Sequence, residues 1–158
     1  MRFAVAMMCF WVSACGQGAD AARQSTALLP PFKFRQMTAG VTTLDKAKDH
    51  GIVQLCGPKG EAISCLAVRP GYGDLRNGML EFDFKGEVFS AMRIQIAPED
   101  FDQHVTATEW NYGEPCRKTT SQEGALERAV WCFRKGRLIL RRHIQGAGSR
   151  GEIRFSAQ

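Results

Sequence analysis

Apolar and polar residues alternate along much of the chain, and this period of two is typical of strands with one buried face. It recurs in seven segments, at 52–56, 62–68, 79–84, 88–96, 129–134, 138–143 and 152–156. Lys85-Gly86 and Lys135-Gly136 have the composition of tight hairpin turns. Residues 69–78 are rich in Gly and also contain Pro and Asn, which predicts a loop.

Two other segments have the apolar spacing of short helices. In the first, Thr42 and Asp45 have the spacing of a capping box, and Gly51 follows where a helix would end. Its apolar face is predicted to consist of Val41, Leu44 and Ala47. The second helix is predicted to begin at Pro98, with acidic residues in its first turn and an apolar face made of Phe101, Val105, Thr108 and Tyr112.

These elements predict an α+β fold with two short helices packed on one face of an antiparallel, hairpin-rich sheet. Similar landmarks follow the two predicted helices. The first is followed by Gly51, Cys56, Cys65 and Phe84-Lys85-Gly86, and the second by Gly113, Cys116, Cys132 and residues 133–136. This order suggests a degenerate tandem repeat.

The N-terminal segment has the layout of a secretory signal peptide. Arg2 is followed by ten apolar residues at 3–12, whereas a membrane-spanning helix needs roughly 20. The run ends in Val12-Ser13-Ala14-Cys15, which resembles a bacterial lipobox. The resemblance implies a signal peptide at 1–14, cleavage before Cys15 and acylation of Cys15, with chains such as palmitate. Several acyl chains would anchor the protein stably in a membrane.

Ala19-Asp20-Ala21 offers an alternative cleavage site, after Ala21, for ordinary secretion. Gly16, in place of Asp after the lipobox cysteine, favours the outer membrane in the sorting pattern of enteric bacteria. The predicted location is therefore the bacterial envelope, as an outer-membrane lipoprotein facing the periplasm; the alternative is a soluble periplasmic or secreted protein. Residues 15–31 are predicted to be a flexible tether, and residues 32–158 the folded domain.

Cys15 would be either acylated or removed, so either cleavage leaves four cysteines free to pair. An even count in an oxidising compartment predicts two disulfides with three possible connectivities. A type II′ turn at Gly60-Glu61 would place Cys56 opposite Cys65 in a non-hydrogen-bonded pair, with Cα atoms about 4.5 Å apart. Pro58 fits this register because its position donates no hydrogen bond. Cys116 and Cys132 would then close a longer hairpin through 121–124. Four reduced thiols in a cytosolic protein are the alternative.

Basic residues are concentrated near the C-terminus, where residues 117–158 contain ten Lys and Arg but three Asp and Glu. A cluster around one predicted hairpin consists of Arg134, Lys135, Arg137, Arg141 and Arg142. It is predicted to contact an anionic partner; a solvated strand face is the alternative. Binding to nucleic acid is not expected of an exported chain without interleaved aromatic and basic residues.

The sequence predicts no catalytic, cofactor or metal site. His50, His104 and His143 have neither a nucleophile motif beside them nor the spacing of paired metal ligands, and no C-x-x-C motif occurs. His104 is expected on the polar side of its helix. Trp110 and Trp131 are expected in the core. The chain is therefore predicted not to be an enzyme.

Two short stretches resemble those of small bacterial envelope proteins. Residues 42–47 before Gly51 are similar to a helix start in these proteins, and Tyr112-Gly113-Glu114-Pro115, followed by Trp131 and residues 135–138, is similar to a repeated motif. The group contains the outer-membrane assembly lipoprotein BamE and the β-lactamase inhibitor protein, and the resemblance covers roughly residues 32–143. It implies a binding or scaffolding module.

The sequence thus predicts an exported lipoprotein that acts as a non-catalytic binding or scaffolding module in the cell envelope. Its partner would be an envelope protein or an anionic envelope surface, and its contact with the membrane would be the lipid anchor. An inhibitor or immunity protein against an exported hydrolase or toxin is the alternative.

Overall fold

A computed structural model describes residues 28–67, 79–121, 124, 126–143 and 150–158. The predicted signal peptide, most of the predicted tether, and the predicted loop at 69–78 lie outside the described residues. None of the helices described is both long enough and apolar enough to cross a membrane.

The described chain forms ten strands and two helices, with one short 3₁₀ turn before the second helix. In chain order these are β1 (Lys33–Phe34), β2 (Met37–Thr38), α1 (Leu44–Asp49), β3 (Val53–Lys59), β4 (Ala62–Ala67), β5 (Leu80–Lys85), β6 (Val88–Ile96), the 3₁₀ turn (Pro98–Asp100), α2 (Phe101–Tyr112), β7 (Arg117–Thr120), β8 (Leu126–Phe133), β9 (Gly136–His143) and β10 (Arg150–Ser156). Strands β1 and β2 form a small hairpin, and the other eight form one antiparallel sheet in the order β3-β4-β5-β6-β10-β9-β8-β7.

The predicted α+β class is wrong because one eight-stranded antiparallel sheet dominates a β-rich fold, in which the two helices are only part of the layer on the buried face. Helix α1 is only six residues long, so it contributes little to the architecture. The size of the sheet depends on the pairing of β6 with β10, which joins strands β3–β6 to strands β7–β10. Strand β7 was not predicted, because its sequence Arg-Lys-Thr-Thr has no apolar alternation.

The predicted repeat fails at its last landmark. Each helix is followed by a Gly, a disulfide-bonded pair of cysteines and four strands. However, Phe84-Lys85-Gly86 leads into the turn between the third and fourth strands after α1, whereas residues 133–136 connect the second and third strands after α2. The two sets of landmarks therefore do not correspond strand for strand.

The hairpin turns lie within one residue of their predicted positions. Gly60 has a φ of +61°, and the predicted pairs Pro58–Ile63 and Gly57–Ser64 are confirmed. Between β5 and β6 the turn residues are Gly86 and Glu87, both with positive φ, so the turn lies one residue later than predicted. The turn between β8 and β9 consists of residues 134–135, one residue earlier than predicted.

Both predicted disulfides, Cys56–Cys65 and Cys116–Cys132, are present. The Cα atoms of Cys56 and Cys65 lie 4.1 Å apart. A β-bulge that was not predicted places both Leu55 and Cys56 opposite Cys65, and Leu55 adopts a φ of +49° to accommodate the extra residue.

The core lies between the sheet and a layer formed by the two helices and residues 32–39. Phe32 stacks on Phe155 of β10 with ring centroids 4.2 Å apart, and Phe34 packs against Phe82 of β5 at 5.6 Å. Trp131 is fully buried, as predicted, and its indole Nε1 donates a 2.8 Å hydrogen bond to the Gly113 carbonyl. Residues on both sides of α1 therefore belong to one core.

The two helices differ from prediction in detail. Helix α1 is capped by Thr43 instead of Thr42, and Val41 is 66% exposed instead of lying on the apolar face. On α2 the predicted apolar face is confirmed, but Trp110 is 86% exposed and His104 is buried. The prediction was wrong for both of these residues.

Candidate functional site on the open face of the sheet

The sheet has one buried face and one face that no described element covers, which we call the open face. Its side chains alternate with the core residues along each strand: Glu81 and Asp83 lie between buried neighbours on β5, and Glu152 and Arg154 on β10. The same alternation on β9 places on this face Arg137, Ile139, Arg141 and His143. Charged residues therefore make up much of the open face.

An ion-pair network begins at the β3 edge. Lys59 Nζ lies 2.8 Å from Glu81 Oε1 and 3.3 Å from Asp83 Oδ1, while Ser64 Oγ donates to Glu81 Oε1 at 2.6 Å. The hydrogen bonds from Lys59 and then Ser64 lower the pKa of Glu81, although burial opposes the shift. The bond to Glu81 raises the pKa of Lys59. These charges therefore stabilise one another.

The network continues across the centre of the sheet through Glu152. Arg93 Nη1 lies 3.4 Å from Glu81, and its Nε lies 3.3 Å from Glu152 Oε1. Arg141 lies on β9, the other strand that neighbours β10, and binds the second carboxylate oxygen of Glu152 through Nε and Nη2. Acidic and basic side chains thus alternate from β3 to β9.

Beyond this network the open face has an excess of positive charge. Arg128 on β8 lies directly opposite Arg141, and Arg154 on β10 lies directly opposite Arg93. In the described part of the chain, neither Arg128 nor Arg154 forms a salt bridge. Like charges placed opposite each other on neighbouring strands are destabilising. The register therefore concentrates guanidinium groups at an energetic cost.

Two adjacent grooves follow these arginines. One has a volume of about 390 Å³ and is lined mainly by residues of β7 to β10, including Thr119, Arg128 and Ile139. The other, of about 710 Å³, extends to Pro98 in the 3₁₀ turn before α2. Both grooves are lined by Arg141, His143 and Arg154. The positive charge thus lies along two adjacent depressions and not on an isolated protrusion.

The structure does not bring the five predicted contact residues together. Arg137 and Arg141 are on the open face, but Arg134 and Lys135 form the β8–β9 turn. The backbone of Leu29 forms a parallel bridge with Phe133 next to that turn, and the backbone N of Arg134 donates to the Leu29 carbonyl at 2.9 Å. The fifth residue, Arg142, also lines the first groove, but its guanidinium contacts α2.

Arg142 instead connects β9 to α2. Its guanidinium lies 4.8 Å from the centre of the Phe101 ring, its Nη1 is 3.1 Å from Asp102 Oδ2, and its Nη2 donates to the Leu126 carbonyl at 2.9 Å. Arg142 therefore holds β9 against α2.

Arg128, Arg154 and Arg93 belong to this site but were not among the five predicted contact residues. Each occupies a polar position in an alternating strand, a signal visible in the sequence. Which of them become neighbours depends on the register of β8, β9, β10 and β6. The pairing of β6 with β10 joins Arg93 to Arg154, which are 61 positions apart in the chain. Alternation alone does not give that register.

The histidines occupy three separate elements. His50 caps α1, His143 ends β9, and His104 is buried on α2, where burial lowers its pKa and the negative charge of Asp100 opposes the shift. The described cysteines are all in disulfides, and the described residues contain no group of three or more His, Cys, Asp or Glu that could hold a metal ion. The arrangement that stands out is the arginine-rich groove, which can bind anionic groups.

Comparison of the chain with protein-family models, with curated proteins and with solved structures gives no match. The resemblance to the group containing BamE and the β-lactamase inhibitor protein therefore stays a prediction.

Proposed function

We propose that this protein is a non-catalytic binding module of the bacterial cell envelope and that it holds a partner protein against the open face of its sheet. The proposal rests on one observation: the sheet buries one face in its own core, and no described element covers the other, which carries guanidinium groups without an acidic partner among the described residues. Arginine is enriched in protein–protein interfaces, where its fork binds carboxylates.

The open face is large enough for such an interface. Eight strands spaced about 4.8 Å apart give a width of about 34 Å, and six paired residues along a strand give a length of about 20 Å. The resulting area of roughly 700 Å² is close to the ~800 Å² that each partner contributes to a stable complex. Two disulfides join neighbouring segments of the sheet, so the surface is rigid before it binds.

The proposed location follows from the covalent chemistry. Disulfides form and persist in oxidising compartments, so the two disulfides support export. We propose that Cys15 is acylated after cleavage of residues 1–14, and that residues 15–31 connect this anchor to the domain. Cleavage after Ala21, giving a soluble periplasmic or secreted protein, is the alternative.

The intact mass of the protein from the membrane fraction tests this location. We expect a chain that begins at Cys15, carries acyl mass and exposes four further thiols only after reduction. A chain that retains Met1, without acyl mass and with free thiols, would contradict export.

Site-specific photo-crosslinking tests the binding surface. A photoreactive residue replaces Gln95, which is exposed on the open face, and the matched control replaces Gln103, which is exposed on α2. In living cells of the native bacterium we expect one discrete protein adduct from position 95 and none from position 103. Adducts at neither position, or at both alike, would contradict the proposal.

The partner's identity separates a scaffold from an inhibitor or immunity protein. The inhibitory role is assigned if the captured partner is an envelope hydrolase or toxin and a soluble Cys15→Ser variant inhibits it at a ratio of one to one. A captured partner without such an activity, together with loss of envelope integrity on gene deletion, would assign the scaffolding role.

A further inference from the structure

We infer that Arg128, Arg141 and Arg154 form a carboxylate-binding site that receives an acidic segment of the partner protein. The inference rests on the proposed function and specifies which part of the open face provides the contact and what chemistry it recognises. The three arginines lie on the adjacent strands β8, β9 and β10 and line the same groove of about 390 Å³.

The charge balance of the groove supports this assignment. Arg141 pairs with Glu152, and Arg93 pairs with both Glu152 and Glu81. Arg128 and Arg154 add two charges without salt bridges in the described part of the chain, while Glu127 is the one acid that lines the first groove. Carboxylates entering the groove would separate the opposed guanidinium pairs and relieve their repulsion. Each guanidinium fork can also accept a carboxylate in a bidentate arrangement.

The shape of the site favours an extended segment over a single compact anion. The groove of about 390 Å³ adjoins the groove of about 710 Å³ at their shared residues Arg141, His143 and Arg154. Apolar side chains line both grooves, with Ile139 in the first and Ile96 and Pro98 in the second. A peptide segment can fill such a depression with both its carboxylates and its apolar atoms.

The acids on the same face favour a protein over a membrane surface. Glu81, Asp83 and Glu152 are on the open face, and Glu127 lines the first groove. A uniformly anionic membrane pressed against the open face would meet these carboxylates as well as the arginines. A protein loop can place its acids on the arginines alone, so the mixed pattern suits a partner with a discrete acidic segment.

A labelled octaglutamate peptide tests the site directly by fluorescence anisotropy with the complete mature protein. The test variant is Arg128→Gln/Arg154→Gln, and the matched control is Lys46→Gln/Lys48→Gln on α1, which removes the same charge from exposed positions elsewhere. We expect the test variant to bind the peptide at least tenfold more weakly, and the control to change its affinity less than twofold. Equal losses in the two variants would overturn the inference, since binding would then depend on net charge alone.

Two further probes separate the anionic sources. Tripolyphosphate and vesicles containing phosphatidylglycerol are titrated against the same variants. The acidic-segment inference is overturned if either probe binds the wild-type protein more tightly than the peptide does and only the Arg128→Gln/Arg154→Gln variant loses affinity for that probe. The arginines would then be assigned to phosphate or to lipid. The single variants Arg128→Gln and Arg154→Gln are measured separately, so the test stands if the double variant does not fold.

The photo-crosslink at position 95 separates failure of this inference from failure of the proposed function. We expect Arg128→Gln/Arg154→Gln to reduce the adduct at least fivefold and the α1 control to leave it unchanged. An adduct that persists in the arginine variant would overturn the acidic-segment site while the proposed function stands. An absent adduct in the wild-type protein would contradict the proposed function, and the peptide titration would still decide whether the arginines bind carboxylates.

Discussion

His104 is a titratable side chain that folding removes from water. It lies on α2 with only 8% of its surface exposed, and burial lowers its pKa from the ordinary value of 6.5. Asp100 acts in the opposite direction but is the smaller influence. The folded protein therefore favours the neutral imidazole, which couples stability to pH below the ordinary pKa of histidine.

We predict that the free energy of unfolding decreases as the pH falls below about 6.5. In this range the unfolded chain binds the proton more readily than the folded protein, and the decrease ends once the pH is below the folded-state pKa. Urea denaturation at several pH values measures the slope. His104→Gln should flatten it, whereas His50→Gln, at the exposed end of α1, should not; an unchanged slope in His104→Gln would contradict this origin.

Gly136 shows how closely backbone and side chains approach at the β8–β9 turn. Its φ is +142°, and a Cβ atom there would lie 2.4 Å from the Ser156 carbonyl oxygen and 2.8 Å from Cζ of Phe155. Both neighbours belong to β10, and Phe155 is fully buried. Neither can move away without disturbing the core.

We predict that Gly136→Ala destabilises the protein by about 3 kcal/mol or more, because both the backbone and the packing become strained. Gly57→Ala is the matched control, since a Cβ atom at Gly57 meets nothing within 4 Å. Thermal denaturation of the two variants gives the comparison. Similar melting temperatures for the two would show that the turn can relax and would refute the prediction.

At the scale of elements, α2 depends on contacts that span the domain. Its apolar face packs on the sheet, the Gly113 carbonyl at its end accepts from Trp131, and Arg142 contacts Phe101 and Asp102 in its first turn. The sequence predicted the apolar face of α2, since that depends on local spacing. It did not predict the role of Arg142, which was grouped with the basic cluster. Successive residues of a strand point to opposite faces, so Arg142 does not share a face with Arg141.

We predict that Arg142→Gln loosens the start of α2 and lowers the free energy of unfolding by about 1–2 kcal/mol, since a cation–π contact and a partly buried ion pair are both lost. Arg137→Gln, on the same strand but exposed on the open face, should change stability by less than about 0.5 kcal/mol. Hydrogen exchange should increase at residues 101–105 in the first variant only. Equal effects of the two substitutions would mean that Arg142 does not hold the helix.

An element could be predicted when the residues that determine it lie close together in the sequence. The Cys56–Cys65 hairpin was predictable because a Gly at the turn, a Pro in the strand and two cysteines all fit one local register. The neighbouring bulge at Leu55 gave no signal, since a non-glycine residue at positive φ is unexpected. On the candidate site, the basic residues were visible in the sequence, but the opposed pair Arg128–Arg141 required the register of β8 on β9.

At the scale of the whole molecule, the pairing of β6 with β10 determines the architecture. It joins the four strands after α1 to the four strands after α2, so that both groups share one core. Phe32 and Phe89 contact Phe155, which connects the chain before α1, strand β6 and strand β10. Strands β3–β6 and strands β7–β10 thereby share their core contacts, and the open face extends across both groups.

We therefore predict that the domain unfolds in a single cooperative transition, although its topology contains two groups of four strands. In a Trp11→Phe/Trp110→Phe variant the remaining indole is Trp131, which is buried on β8 and reports on the second group. Far-ultraviolet circular dichroism reports on strands from both groups. If the shared core couples them, the two signals give the same urea midpoint and the same slope. An earlier dichroism transition that leaves Trp131 fluorescence native would show that strands β3–β6 unfold separately, and the open face would then be two surfaces of unequal stability instead of one rigid platform.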